Sequence, residues 1–338
     1  MVSVAIVEGY GKTLSVYRGN LVVVYRDNGK KVRKVANLAE VDRVIITTSG
    51  IALTSRALRL LARYGIDLVV LDPRGIPITM LTPPWITATV DSRRGQYIAY
   101  TNESLALEIA KSIACAKILN QAGYVKYLAK VLVDSGLAKE SEKIFEICTY
   151  IRRVSGSLDS ARKSLMAYEG TAARIYWGSI ATVLPSDLGF DDRDQDGLDP
   201  VNRSLNYLYG VLYAESFKTL VRVGLDPYAG FLHADRSGNP VLVFDYVEMF
   251  RVSAVDSLLV ELFRRGFRIS TDDRGYIARE SRAKLIQEFY NWFSRKARDS
   301  RGEVRKLEEH VKSYAIKFAK FFRVREGDVP VFVEVWWI

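Results

Sequence analysis

Imidazole chemistry in this 338-residue chain falls to two side chains, His233 and His310. His233 closes a turn-rich approach, Asp226-Pro227-Tyr228-Ala229-Gly230-Phe231-Leu232-His233, and Asp245 and Glu248 follow shortly after. The run 243–250 around those two acids is otherwise apolar. If it is helical, Asp245 and Glu248 are i,i+3 neighbours on one face. Two carboxylates in such a run are costly to bury unless paired or bound to a metal. One imidazole with two or three carboxylates suits Mn²⁺ or Mg²⁺, and the imidazole tilts the set toward Mn²⁺. The plainer alternative is two surface acids and a histidine that satisfies its own loop. A third acid is needed to complete a site, and Glu169 is the best candidate. It stands in Met166-Ala167-Tyr168-Glu169-Gly170-Thr171-Ala172-Ala173-Arg174, where small residues after the acid suggest a packed helix open to close approach. An exposed helix glutamate is the competing reading. His310, beside Glu308 and Glu309, is expected on an exposed helix face.

Other chemistries find less support. Asp192-Arg193-Asp194-Gln195-Asp196-Gly197 matches the first half of a calcium loop, but the twelfth position, which needs a bidentate Glu, is Arg203. The segment reads as a flexible acidic loop. There is no GxxxxGK[ST] and no GxSxG. The two cysteines, Cys115 and Cys148, form no CxxC, which excludes a cysteine-rich zinc site and a disulfide scaffold and points to a reducing cytoplasm. A covalent tyrosine recombinase stays formally open among nineteen tyrosines.

The elements that must position these residues change character along the chain. The first 80 or so residues carry short β-prone runs, with Gly19-Asn20 and Asn28-Gly29 as turns between them. A helix is predicted from Ser55 to Tyr64, capped by Thr54 or Ser55 and ended by Gly65. Strands are expected at 66–71 and 76–81, joined by Asp72-Pro73-Arg74-Gly75. Thr82-Pro83-Pro84 breaks the pattern. Beyond Asn102 the period is helical, with helices predicted at 105–133, 140–154, 157–184, 202–223, 255–265, 280–297 and 304–322. This gives an α+β chain: a small β-rich domain at 1–84, a linker at 85–101 and a larger, all-α domain at 102–338. No apolar run is long enough to span a membrane, and no secretory signal is read.

The net charge of +10 is concentrated. Residues 264–325 hold 18 basic and 8 acidic side chains, so this segment accounts for the whole imbalance. Such concentration favours a polyanion, most often nucleic acid, because neutralised phosphates release counterions. A solvated helical surface is the alternative.

Taken together, the pieces resemble a known family, the adaptation endonuclease/integrase of CRISPR systems, which inserts new spacers. The matching residues are Tyr168-Glu169-Gly170 with Ala173, then Asp199-Pro200-Val201-Asn202-Arg203-Ser204-Leu205-Asn206-Tyr207. Gly230-Phe231-Leu232-His233 and Phe244-Asp245-Tyr246-Val247-Glu248-Met249-Phe250-Arg251 follow, in the family's order. In the N-terminal half Ser55, Ala57, Leu58, Gly65-Ile66-Asp67 and Leu71-Asp72-Pro73-Arg74-Gly75 also match. The resemblance implies a dimerising β-rich N-terminal domain and an α-helical catalytic domain. It implies a divalent ion, Mn²⁺ or Mg²⁺, held by Glu169, His233 and Glu248, with Asp245 as a further catalytic acid. It also implies DNA as substrate (prespacer duplex and CRISPR repeat), a homodimer, and a small ferredoxin-like partner subunit. Arg174, Arg264, Arg265 and Arg268 are candidate DNA contacts. Arg251-Val252 departs from the family's frequent Arg-Pro, and the acidic insertion 191–196 is unusual. A metal-dependent branched-DNA resolvase without integration shares the same site, and a non-catalytic architectural DNA binder would share only the basic surface.

Overall fold

The computed structural model describes residues 3–36, 41–81, 90–272 and 274–336. Thr82-Pro83-Pro84, read above as a break, lies outside the described residues. The chain opens with five strands, β1 (Ser3–Val7), β2 (Thr13–Tyr17), β3 (Asn20–Asp27), β4 (Lys30–Ala36) and β5 (Val41–Ile46). The two-residue β6 (Ala52–Leu53), helix α1 (Ser55–Tyr64), β7 (Asp67–Leu71) and β8 (Pro77–Leu81) follow. They build two four-stranded sheets. One has the order β1-β5-β7-β8, parallel except for the hairpin β7–β8. The other has the order β4-β3-β2-β6, with β2, β3 and β4 as a meander.

Local chemistry explains the turns. Asn28-Gly29 joins β3 to β4 with positive φ at both residues, the geometry of a tight primed hairpin turn. The β2–β3 turn is one residue earlier than expected. Arg18 and Gly19 carry the positive φ values, and Asn20 already pairs with Tyr17. Thr54 caps α1 by accepting from the Ala57 N–H, and Gly65 ends it in the left-handed conformation. Val7, Leu14, Leu21, Val44, Ala57, Leu61 and Leu68 fill the core of this part.

The rest of the chain is mostly helical, with α2 (Val90–Thr101), α3 (Glu103–Leu132), α4 (Ser135–Arg152) and α5 (Leu158–Val183). Then come α6 (Pro200–Arg222), α7 (Val241–Glu248), α8 (Ser257–Arg264), α9 (Arg279–Phe293) and α10 (Leu307–Val324). A short hairpin of β9 (Lys296–Arg298) and β10 (Val304–Lys306) precedes α10. Residues 296 and 297, expected at the end of a helix, are therefore strand. Part of the stretch given above as a linker, residues 90–101, is helix α2. Its buried side is Ser92, Gly95, Gln96 and Ala99, which are small or polar, so no apolar stripe marks it in the sequence. The 30-residue α3 is buried on nearly every side, as a central helix must be, and packs against α4, α5 and α7. A π-helical stretch, Val252–Asp256, runs into α8.

Two compact units emerge, and both are discontinuous in sequence. The first comprises residues 1–85, 206–214 and 269–294; the second comprises 86–205, 215–268 and 295–338. The middle of α6 belongs with the β-rich part because Gly210 lets the helix backbone approach the β7–β8 turn. A Cβ there would stand 1.9 Å from the Gly75 carbonyl oxygen. The basic segment 264–325 is thus continuous in sequence but shared between the two units. Among the described residues, no helix is long and apolar enough to cross a membrane.

Candidate active site

Helices α3, α5 and α7 of the second unit and the loop before α7 supply the candidate residues. Residues 241–248 are helical, so Asp245 and Glu248 do project as i,i+3 neighbours, and both are buried, at 0% and 2% exposure. Glu169 on α5 is also buried, at 7%. An uncompensated carboxylate in that position is expensive. The compensation comes from Lys117 on α3. Its Nζ lies 3.1 Å from Glu169 Oε1 and 3.0 Å from Glu248 Oε2. The other Glu248 oxygen, Oε1, pairs with Arg251 Nη1 at 3.1 Å. Burial opposes the Glu248 charge, but Arg251, Lys117 and His233 outweigh it and hold the carboxyl well below its ordinary range. Burial likewise opposes the Lys117 ammonium, and Glu169 and Glu248 more than offset it, so its pKa is raised.

Asp245 has a different job. Its Oδ2 accepts the backbone N–H groups of Phe231 (2.6 Å) and Leu232 (2.9 Å). Its Oδ1 accepts the His233 N–H (3.0 Å) and lies 2.7 Å from His233 Nδ1. A carboxylate cannot donate, so Nδ1 carries a proton, and in the neutral imidazole Nε2 keeps its lone pair. This is the arrangement by which an outer carboxylate orients a metal-ligating imidazole. Burial disfavours the imidazolium, but the Asp245 hydrogen bond and charge, with Glu248 and Glu169, prevail and raise the His233 pKa.

The 226–233 loop is held from other sides as well. Gln96 on α2 donates to the carbonyls of Asp226 and Ala229 and accepts from the Asp226 N–H. Arg162 on α5 donates to the Phe231 carbonyl. Gly230 is required by close approach, since a Cβ would sit 2.5 Å from Val241 Cγ1 and 2.9 Å from Asp245 Oδ2. One turn beyond Lys117, the buried Asn120 donates to the carbonyls of Ala116, Met249 and Phe332 and accepts from the Glu334 N–H. It ties α3 to the chain just after α7, which fixes the distance between Lys117 and Glu248. Lys117, Gln96, Asn120 and Arg162 were not singled out from the sequence. Each is a common residue type, and its partner is far away in the chain.

The remaining candidates behave variously. Arg174 lies on the exposed side of α5, one and a half turns beyond Glu169, beside exposed Gly170 and Gly178. It lines an open groove of about 400 Å³ with Gly136 and Glu140 of α4. Arg264 and Arg265 are exposed at the end of α8, and Arg265 pairs with Glu261. Arg268 is engaged with both oxygens of Asp187 and with the Phe263 and Phe267 carbonyls. The acidic loop is folded on itself. Asn202 accepts from Arg193 and the Asp194 N–H and donates to the Asp192 carbonyl and Asp199.

His310 departs from its expected exposure. It is fully buried, with Nε2 3.0 Å from the Ala297 carbonyl and its ring against Phe332. Among the described residues it forms, with Asp299 and Glu303, a group whose donor atoms all lie within 4.8 Å of one another. Its two acids are already engaged, whereas the buried His310 Nδ1 has no hydrogen-bond partner among the described residues. Asp299 accepts from the Arg301 and Glu303 N–H groups and from the Tyr314 hydroxyl, and Glu303 pairs with Arg305 and Lys317.

A β-rich N-terminal region is thus followed by a helical part that sets buried acids beside one imidazole. The family model for CRISPR associated protein Cas1 matches residues 5–291. The chain is 35% identical to CRISPR-associated endonuclease Cas1 2 of Saccharolobus solfataricus over 95% of this chain and 94% of that one. It is 36% identical to CRISPR-associated endonuclease Cas1 1 of Pyrobaculum aerophilum, over 84% and 89%. Among solved structures, a casposase bound to integration product superposes with a TM-score of 0.82 at 23% identity, over 97% of this chain and 92% of that one. A CAS1 protein from Thermotoga maritima gives 0.75 at 18%, over 96% and 98%. The chain belongs to the Cas1 family, and with it to the nuclease class of enzymes.

Proposed function

We propose that the protein is a metal-dependent DNA endonuclease/integrase that joins new spacer DNA to a CRISPR array, with Glu169, His233 and Glu248 as the metal-holding residues. The observation that carries this reading is the convergence of two buried carboxylates from α5 and α7 on one cationic atom, 3.0–3.1 Å from each. The Lys117 ammonium is a stand-in cation, and its position tests the fit: the two acids can share one positive centre. His233, held by Asp245, would add the nitrogen of a donor set suited to Mn²⁺ or Mg²⁺. When bound, such an ion supplies Lewis acidity toward a phosphodiester oxygen and lowers the pKa of an attacking hydroxyl or water.

The chain's own groups do the rest. Asp245 keeps His233 in the required tautomer and orientation. Arg251 neutralises the second oxygen of Glu248 so that the carboxylate stays ionised in its buried setting. The exposed face of α5, with Gly170, Arg174 and Gly178, offers a smooth approach with one cationic side chain for a DNA backbone. A 3′-OH nucleophile gives strand transfer, which exchanges one phosphodiester for another and needs no ATP; water gives cleavage. By family likeness the protein acts in the cytoplasm as a homodimer through the β-rich region, with prespacer and repeat DNA and a small ferredoxin-like partner subunit. A solved relative in fold is a Cas6-RT-Cas1–Cas2 complex, and this supports an assembly with a partner.

The test is strand transfer of a duplex with a free 3′-OH into a repeat-bearing plasmid, with Mn²⁺. Wild type is expected to give joined products. Glu169→Gln and His233→Ala are expected to lose them while keeping DNA affinity. Undiminished joining by both variants would overturn the site, and cleavage with no joining by wild type would favour a resolvase.

A further inference from the structure

Lys117 does more than balance charge. We propose that its ammonium is a built-in placeholder for the divalent ion: it holds Glu169 and Glu248 together in the ion-free enzyme and must leave the gap before the ion can enter. This inference rests on the metal reading above.

The geometry leaves little choice. Nζ is 3.1 Å from Glu169 Oε1 and 3.0 Å from Glu248 Oε2, so the ammonium occupies the space between the two carboxylates. A divalent ion bound to the same oxygens would sit at roughly 2.0–2.2 Å from each, in the same space. Two cations cannot share it. Like charges a few ångströms apart in a partly buried site repel strongly. The ion and the ammonium therefore compete for one pair of anions.

The site is built for this exchange. Glu248 keeps a second cationic partner, Arg251, on its other oxygen whether or not Lys117 stays. Among the described residues, Glu169 has Lys117 as its ion-pair partner. The occupant of the gap is therefore what balances this carboxylate. Asn120 and its hydrogen bonds to Met249 and Phe332 fix the α3 backbone, so a departing Lys117 moves by its four-carbon stem and not by its helix. The Lys117 side chain keeps 18% exposure, so it is not sealed off from solvent. A preformed pair of carboxylates then meets the incoming ion without first collapsing apart.

The experiment compares wild type, Lys117→Met, Lys117→Gln and Glu169→Gln as full chains, with Mn²⁺ alone as the probe. Calorimetry and the free-Mn²⁺ electron paramagnetic resonance signal give affinity. Thermal unfolding in chelator and in Mn²⁺ gives the linked stability. If Lys117 is a placeholder, both Lys117 variants bind Mn²⁺ at least tenfold more tightly than wild type. They also melt lower in chelator and gain more from Mn²⁺. A variant that folds only when Mn²⁺ is present has the same meaning. Affinity unchanged within twofold or weakened in both, or failure to fold even with Mn²⁺, overturns the proposal. Glu169→Gln separates the two claims. If Glu169→Gln abolishes binding and the Lys117 variants do not tighten it, the site stands and the placeholder falls. If wild type and Glu169→Gln bind Mn²⁺ equally, the metal site itself is wrong.

Discussion

Asp245→Asn is the most searching perturbation, because one atom changes while the shape is kept. Asp245 is fully buried, and its two oxygens accept four N–H groups: Phe231, Leu232, the His233 backbone and His233 Nδ1. An amide has one acceptor oxygen. With the NH₂ at the Oδ2 position, it faces two backbone donors and both bonds are lost. With the NH₂ at the Oδ1 position, it faces the His233 N–H and can reach Nδ1 only as a donor. That forces the proton onto Nε2 and removes the lone pair proposed for the metal. Hydrogen bonds to a charged acceptor contribute about 1.5–3 kcal/mol each, so losing the charge and two bonds should cost roughly 3–5 kcal/mol. Urea unfolding in chelator reads this as a lowered midpoint with unchanged slope, and Mn²⁺ titration should show affinity reduced by tenfold or more. A midpoint within about 0.5 kcal/mol of wild type, the usual spread for substitutions at indifferent sites, together with unaltered Mn²⁺ affinity, would refute the reasoning about the loop and the imidazole.

Other outcomes follow from the same geometry. Gly230→Ala places a methyl 2.5 Å from Val241 Cγ1, and overpacking of this kind should lower stability by about 1–3 kcal/mol, visible in thermal melts, with His233 displaced and strand transfer reduced. His233 has a raised pKa in the folded state. Its protonation therefore stabilises the ion-free fold fully below the unfolded value of about 6.5, and that contribution is lost as pH rises through the raised folded value. Stability in chelator should fall over this window in wild type and not in His233→Gln, while Mn²⁺ affinity should climb over the same window because proton and ion compete. Arg174→Ala should weaken DNA binding and reduce the salt-dependence slope by about one, as for one lost phosphate contact, when affinity is followed against salt concentration.

Much of the scaffold was legible before any coordinates, and where it was, the cause is local. Asn28-Gly29 makes its hairpin because positive φ is cheap there, and α1 has its cap and stop because Thr54 and Gly65 carry them within four residues of its ends. The long helices of the second unit follow from their own periodicity. Elements without an apolar stripe were missed: α2 buries small and polar residues, and 243–250 could not be assigned to helix or strand from an almost wholly apolar run.

The sequence by itself determined the inventory: two histidines, a few acids in improbable apolar settings, one basic segment and short stretches with a family's order. Residue type and near neighbours suffice for that. Tertiary structure alone decided which partners each member of the inventory meets. It gave Asp245 to the His233 loop, put Glu169 and Glu248 on a single ammonium from α3, buried His310 against Phe332, and divided the basic segment between two compact units. Lys117 reaches Glu169 across 52 positions of chain. Nothing in the identity of a lysine announces such a partner, because the interaction energy depends on burial and distance, and both come into being only when the helices pack.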